Sequence, residues 1–375
     1  MTPRVVHYVD SDFFGGSEEA ALHLIASLDR ARWEPVLLHH PGAGIARLVE
    51  GAGRLGVRTC AVPRPDRARR MAGLAGLRQA LRTERPAILH AHLSWPLACK
   101  YGVLAAWLAR VPAVVATAQL YLEVGSHAEQ RLMTMALRRI IAVSNEVRAR
   151  YARELRVPAR KLAVVPNGIE VPPAVRRCDP ALRAELVRGR PDYVVLTPAR
   201  LHEQKGHAYL LAAAARVPEA TFVLAGDGPL RAELERLAAE LNVADRCVFL
   251  GYRSDVSDLL AAADVFVLPS LFEGLPVSVL EAMAAERAVV ATAIGGTDEA
   301  VTHEVTGLLV PPRDPAALAA AIRRLQADPQ LAGRLAAAGR ERVQREFSSA
   351  ATARNVMRIY DEVTGAGPSA GAGDA

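Results

Sequence analysis

Two successive sets of short apolar runs, each alternating with helical patterns and parted by a proline-rich connector, constrain this 375-residue chain more than any other feature. In the first set Val5–Val9, Pro35–Leu38, Ala87–His90, Ala113–Thr117, Ile140–Val143 and Leu162–Val165 read as strands. Most are continuous apolar runs, the pattern of strands covered on both faces of a parallel sheet. Helical patterns fall between several of them, over Ser17–Leu28, Ile45–Leu55, Leu74–Arg82, Ala98–Leu108, Glu129–Arg138 and Glu146–Leu155. Such alternation predicts a doubly wound, Rossmann-like α/β domain. Pro166–Pro173, with its Asn-Gly turn and paired prolines, then forms a stiff connector. Alternation restarts at Tyr193–Thr197, Thr221–Ala225, Val248–Leu250, Val265–Leu268, Val289–Ala291 and Leu308–Val310, followed by helical patterns over Ala316–Leu325, Leu331–Glu346 and Thr352–Val363. The expectation is two α/β domains, residues 1–170 and 171–349, which the length also suggests. The Gly/Ala/Ser tail 365–375 is expected to be disordered.

Composition excludes several classes. No stretch of about 18 uncharged apolar residues occurs, so no membrane-spanning helix is expected. Met1 leads directly into a strand-like run without a secretory apolar region. Cys60, Cys99, Cys178 and Cys247 lack metal or disulfide spacing and read as reduced cysteines of a cytoplasmic protein. Charge is uneven: residues 1–170 carry 24 Lys+Arg against 14 Asp+Glu, a net of +10, and the remainder 22 against 26, a net of −4. A basic half suits an acidic acceptor, an anionic membrane face or nucleic acid; it also suits an Arg-rich surface with no partner. No basic–aromatic stripe or nucleic-acid motif accompanies it, so nucleic acid is not expected.

The run Pro269-Ser270-Leu271-Phe272-Glu273-Gly274-Leu275-Pro276-Val277-Ser278-Val279-Leu280-Glu281 carries the sharpest chemistry. A strand runs into a loop ending on Glu273, Gly274 permits close backbone approach, and Pro276 opens a helix. Glu281 follows about one and a half turns later. Two acids at different depths of one cleft suit a polyhydroxylated ligand, because a carboxylate accepts two hydroxyl hydrogen bonds at once. The alternative is a strand–helix turn with two solvated acids. Just after the first strand of the second domain, Thr197-Pro198-Ala199-Arg200-Leu201-His202-Glu203-Gln204-Lys205-Gly206 offers a planar guanidinium and an ammonium, a pair able to neutralise a pyrophosphate. It also reads as a basic loop capping a helix. Gly15-Gly16-Ser17-Glu18 sits between the first strand and its helix, where backbone amides meet anions, with Ser17 as the expected N-cap. Ala225–Leu230 and Ile294–Glu299 read mainly as turns.

These residues together resemble the retaining nucleotide-sugar glycosyltransferases of family 4, which have the GT-B fold. The two-glutamate run matches that family's double-glutamate motif. Arg200, Lys205 and Gly206 match its G-R-x-x-x-x-K-G pattern, with Ala199 replacing the first glycine. The resemblance spans Gly15 to about Pro312 and is strongest over 195–312. It implies two Rossmann-like domains with an interdomain cleft, the first binding the acceptor and the second the donor. It also implies a C-terminal crossover helix, about 350–364, returning to the first domain. Arg200, Lys205 and Glu273 would be catalytic. Gly15, Gly16, Gly274, Leu275, Pro276, Val277, Glu281, Tyr252 and Arg253 would bind the donor. No metal and no cofactor is implied, since the nucleotide sugar is a substrate and two cations already cover its diphosphate. UDP is favoured over GDP, and the acceptor is an unidentified hydroxyl or amine.

His92, Gln119 and Asp12 are the acceptor-side candidates. His92 ends a strand in a segment where the family commonly carries histidine; it equally suits a structural role. Many relatives have Thr-x-His where this chain has Thr117-Ala118-Gln119. Glutamine donates a hydrogen bond but takes no proton at neutral pH. Pro65–Arg85 is a basic amphipathic helix candidate, with Met71, Leu74, Leu77 and Leu81 near one face and Arg67, Arg69, Arg70, Arg78, Arg82 and Arg85 largely elsewhere. It suits peripheral membrane contact or a sheet-covering helix with snorkelling arginines. Alternative functions are an inactive nucleotide-sugar-binding homologue, a sugar-nucleotide epimerase, a phosphorylase, or a scaffold built on the basic half.

Overall fold

The computed structural model describes residues 2–65, 70–121, 126–190 and 192–365. It contains two compact units, Met1–Glu170 with Ser349–Ala375, and Val171–Ser348.

The first unit is built on a seven-stranded sheet of order β3-β2-β1-β4-β5-β6-β7. Its strands are β1 (Arg4–Val9), β2 (Glu34–His39), β3 (Arg58–Ala61), β4 (Ile88–Leu93), β5 (Ala113–Ala118), β6 (Arg139–Ala142) and β7 (Leu162–Val164). Every pairing is parallel. Helices α1 (Gly16–Ser27), α2 (Ala46–Arg54), α3 (Arg70–Glu84), α4 (Lys100–Ala109), α5 (His127–Ala136) and α6 (Asn145–Glu154) make the crossovers. β4 and β5 are buried at every position, as central strands covered on both faces should be.

The second unit holds a six-stranded parallel sheet of order β10-β9-β8-β11-β12-β13. Its strands are β8 (Tyr193–Pro198), β9 (Ala220–Ala225), β10 (Cys247–Gly251), β11 (Val265–Leu268), β12 (Ala288–Thr292) and β13 (Leu308–Val310). Its helices are α7 (Pro180–Val187), α8 (His207–Ala214), α9 (Arg231–Glu240), α10 (Val256–Ala262), α11 (Val277–Ala284), α12 (Thr297–Ala300), α13 (Pro315–Ala327) and α14 (Pro329–Glu346). One apolar core joins Val195, Phe222, Leu224, Val265 and Val267 of the sheet to Leu210, Leu318 and Ile322 of the helices.

The last helix, α15 (Ser349–Thr364), packs in the first unit. Ala353, Val356, Met357, Ile359 and Tyr360 share a core with Val5, Leu24, Trp33 and Ile88. Tyr360 meets Trp33 edge-to-face, ring centroids 5.2 Å apart. Arg32 reaches Asp361 at 2.5 Å and Arg139 reaches Glu362 at 2.6 Å.

Local details differ from the sequence reading. β3 is an extra strand: Arg-Thr-Cys-Ala lies at the sheet edge, part-exposed throughout, so it carries no apolar run. Gly15, not Ser17, is the N-cap of α1, because Glu18 reaches back to the Gly15 amide at 2.9 Å and the helix closes two residues early. Pro276 is the N-cap of α11 rather than its first helical residue. In α3, Leu77 and Leu81 are buried but Met71 is exposed, since the buried face runs through Gly73, Leu77 and Leu81. Arg67, Arg69 and residues 366–375 lie outside the described residues.

Candidate functional site

The carboxyl ends of β8 and β11 are neighbours in the second unit's sheet, so the loops leaving them run side by side. Such strand ends are where open α/β sheets take ligands. After β8 the chain passes Arg200, which is exposed, and a short 3₁₀ turn, Glu203–Lys205. Gly206 then takes a positive φ of 66°. A Cβ there would lie 2.1 Å from the Pro269 carbonyl oxygen, so only glycine lets the two loops touch. The contact is sealed by Leu271 N donating to Gln204 O at 2.7 Å.

Glu273 sits at the centre of this contact. The Lys205 ammonium lies 2.5 Å from its Oε1, and Ser270 Oγ donates to the same oxygen at 2.8 Å. Gln204 Nε2 donates to Glu273 Oε2 at 3.3 Å and to Phe272 O at 3.0 Å. Thr292 Oγ1 in turn donates to Ser270 O at 2.5 Å. Side-chain exposure is 16% for Lys205 and 8% for Glu273. Removing either partner therefore strands a largely desolvated charge. Residues 274–277 are buried and Glu281 is half-buried on α11. First-turn amides lack intrahelical partners at a helix start; in α11 the third of them, Val279 N, is taken by Pro276 O at 3.1 Å. Gly296, at φ +85°, brings the turn after β12 against this loop: a Cβ would fall 1.7 Å from Gly274 O. The 225–230 turn packs on the loop after β8, Leu201 N donating to Asp227 O at 3.0 Å and Leu230 N to Leu201 O at 3.1 Å.

His207 follows Gly206 at the start of α8. Burial, and secondarily the Lys205 charge, lower its pKa to about 4. Neither ring nitrogen has a protein partner. Tyr252 and Arg253 follow β10. Tyr252 is exposed, and Arg253 is paired with Asp255, Nε to Oδ1 at 2.7 Å. That hydrogen bond raises the Arg253 pKa and lowers that of Asp255.

In the first unit the Gly15 amide is taken by Glu18, whose burial raises its pKa, and Gly16 is the first residue of α1. Asp12 is ion-paired with Arg64, which also reaches Asp10 at 2.7 Å. His40 contacts the same group: its Nε2 is 2.8 Å from Tyr8 Oη and 3.7 Å from Asp10. His92 is only 5% exposed, and its Nε2 lies 3.0 Å from His7 Nδ1. Gln119 faces Asn167 through two reciprocal amide hydrogen bonds.

The structure thus brings Arg200, Lys205, Glu273 and residues 274–277 onto two abutting loops of the second unit. Gly15, Gly16, Asp12, His92 and Gln119 belong to the first. Sequence reasoning quoted Gln204 and Ser270 without giving them a role. Their spacing was the available signal, one residue before Lys205 and three before Glu273. Arg64, His40, His7 and His90 were missed because their partners are distant in sequence.

Comparison with known proteins agrees in both units. Residues 14–171 match the family described as Glycosyltransferase Family 4, and residues 179–342 match Glycosyl transferases group 1. The chain is 30% identical to 2-deoxystreptamine glucosyltransferase of Streptomyces kanamyceticus, over 86% of this chain and 92% of that one. It is 33% identical to UDP-Gal:alpha-D-GlcNAc-diphosphoundecaprenol alpha-1,3-galactosyltransferase of Escherichia coli, over 64% of this chain and 66% of that one. The solved structure of Anabaena HepE in complex with UDP and glucose superimposes with a TM-score of 0.83 at 21% identity, covering 96% of this chain and all of that one. Sucrose-phosphate synthase of Thermosynechococcus elongatus gives a TM-score of 0.79 at 25% identity, covering 97% of this chain and all of that one. The fold is therefore GT-B, and the chain belongs to glycosyltransferase family 4.

Proposed function

We propose that this chain is a retaining glycosyltransferase moving a sugar from a nucleoside diphosphate, UDP rather than GDP, to an acceptor hydroxyl or amine. The observation that carries the reading is the Lys205–Glu273 contact at 2.5 Å on the loop that also bears Arg200. A cation for the diphosphate and an acid for sugar hydroxyls stand side by side, and Ser270 and Gln204 fix the acid. In the reaction the bond between the anomeric carbon and the diphosphate oxygen breaks. The acceptor attacks from the face being vacated, and a phosphate oxygen takes its proton. Arg200 and Lys205 stabilise the charge that builds on the leaving diphosphate, so no divalent ion is needed there. Such preorganised charge stabilisation is commonly a large catalytic term. Glu281 is assigned to the donor ribose. UDP is preferred because a relative named for UDP-galactose and a structural neighbour solved with UDP both point that way.

The acceptor is assigned to the first unit, which presents a face suited to an anionic membrane surface. Trp107 (70% exposed) and Met135 (72% exposed) line a groove of about 600 Å³ with Arg138, Arg160 and Lys161. Leu104, Leu108 and Leu132 are exposed on the same two helices. Apolar anchors beside cations bind anionic headgroups. Among the described residues no helix is long and apolar enough to cross a membrane, so contact would be peripheral.

A second reading, a nucleotide-sugar-binding homologue with little turnover, is favoured by the Gln119–Asn167 pairing, which occupies the side chain at the position where the family resemblance implies a histidine in many members. The test is a panel of UDP- and GDP-sugars, scored by thermal shift and then by nucleotide release with acceptors, followed by the anomeric configuration of the product. Release with UDP-sugars, unchanged by added Mg²⁺ or Mn²⁺, supports the transferase. Binding without release supports the second reading.

A further inference from the structure

The first unit contains a cluster that the transferase reading does not use. His7 on β1 stands opposite His90 on β4 in register, and His92 lies two residues further along the same strand. Residues paired across parallel strands share a face, as do residues two apart. The three rings therefore face one side of the sheet and touch. Ring centroids are 4.5 Å apart for His90–His92 and 5.3 Å for each of the other pairs. All three side chains are buried.

We infer that His7, His90 and His92 form a binding site for a divalent transition-metal ion, zinc in the first instance. One nitrogen from each ring lies within 4.8 Å of the others. His7 Nδ1 and His92 Nε2 are already 3.0 Å apart, close to the separation of about 3.3 Å between ligands of a tetrahedral zinc with bonds near 2.0 Å. Three imidazoles favour zinc, cobalt, nickel or copper over magnesium or calcium. Burial lowers the pKa of all three, so the ligands are neutral at pH 7 and no proton has to be released to solvent. One proton is shared between His7 and His92. On binding it moves to the outer nitrogen of its own ring, while each inner nitrogen donates a lone pair; no proton leaves the cluster.

The surroundings fit. His90 holds Tyr360 Oη at 2.5 Å through Nδ1 and Thr117 Oγ1 at 2.7 Å through Nε2. Whichever nitrogen coordinates, the other keeps the outer hydrogen bond that usually orients a metal-bound histidine. His7 Nε2 and His92 Nδ1 have no protein partner. The His7–His92 and His90–His92 ring planes are tilted by only 22° and 23°, so convergence on one ion requires the rings to turn within the cluster. Coordination through His90 Nε2 would release Thr117 and keep Nδ1 on Tyr360 of α15, so that an ion bound this way would fasten the C-terminal helix to β1 and β4.

The inference rests on the first unit alone and stands or falls separately from the donor site. The full-length protein, stripped with chelator, is titrated with Zn²⁺ by calorimetry and loaded with Co²⁺ for visible spectroscopy. One equivalent is expected to bind, with a nitrogen-rich first shell by X-ray absorption. His7→Gln and His92→Gln should each weaken binding by more than about 100-fold, while His207→Gln in the other unit leaves it unchanged. Absence of a stoichiometric ion in the native protein, or equal binding by all three variants, overturns the site. If a variant fails to fold, X-ray absorption on the native protein still decides, since an oxygen- or sulfur-rich shell rejects it.

Discussion

Lys205 Nζ and Glu273 Oε1 lie 2.5 Å apart, joining the loop after β8 to the loop after β11. Lys205→Ala removes a charge assigned to the leaving diphosphate. The expected loss in kcat/KM is about 30- to 1000-fold, the 2–4 kcal/mol of one such contact. It also leaves the Glu273 carboxylate unpaired, costing about 1–3 kcal/mol of stability. The double variant Lys205→Ala/Glu273→Gln should recover the stability and not the rate. Paired melting and nucleotide-release assays check this, and parallel recovery of both would reject the assigned roles.

Gly206→Ala is expected to cost stability and donor binding together. The left-handed backbone alone costs about 1–2 kcal/mol for a residue with a side chain. The methyl group would also stand 2.1 Å from Pro269 O, forcing the two loops apart. Gly189 has a similar φ of 79° but nothing within 4 Å of its Cβ position. Its alanine variant should show the backbone cost and keep donor binding. Thermal shift with and without UDP separates the two.

The buried His207 makes stability depend on pH. Its folded pKa is about 4 against a reference of 6.5, so between those values the unfolded chain binds a proton that the folded chain does not. Stability from this group is full above about pH 6.5 and is lost as pH falls toward 4, amounting to about 3 kcal/mol. His207→Phe should flatten the acid limb of a denaturant-midpoint profile. An unchanged limb would mean that other groups set it.

Gln119 and Asn167 exchange two hydrogen bonds, at 3.2 and 2.7 Å. Asn167→Ala is expected to destabilise the protein by about 1 kcal/mol. Gln119→His tests whether proton transfer passes through this position. A gain in turnover with a new ionisation in the pH–rate profile is expected if the present chain is impaired there. No gain would mean that proton transfer is handled elsewhere, by the donor phosphate or by His92.

Trp107→Ser and Met135→Ser lie on exposed positions, so melting should move by less than about 0.5 kcal/mol equivalent. Binding to vesicles containing anionic lipid should weaken in co-sedimentation, while binding to neutral vesicles stays low. Unaltered sedimentation would remove the membrane from the list of partners.

Much of this was legible in the chain. Buried strands such as Val265–Leu268 announce themselves, because a parallel strand covered on both faces must be apolar throughout. β3 did not, since Arg58 and Ala61 at an exposed edge need no such pattern. The sequence pointed to Arg200, Lys205 and Glu273 as residue types, but assigned Lys205 to phosphate and Glu273 to sugar as separate tasks. Their direct pairing depends on a loop contact across 68 residues, which local periodicity does not encode. His92 read as an acceptor-side residue because it stands near the end of a strand; its pairing with His7, 85 residues earlier on β1, depends on sheet topology that local pattern does not encode.

The placement of α15 has a consequence for biosynthesis. Tyr360, Met357 and Val356 complete a core begun by Val5 and Leu24, so the first unit cannot finish before the ribosome has made all of Val171–Ser348. The intervening unit, continuous over Val171–Ser348, is free to fold first, reversing the usual vectorial order. During that interval the open half exposes an apolar seam, and chaperone dependence should concentrate there.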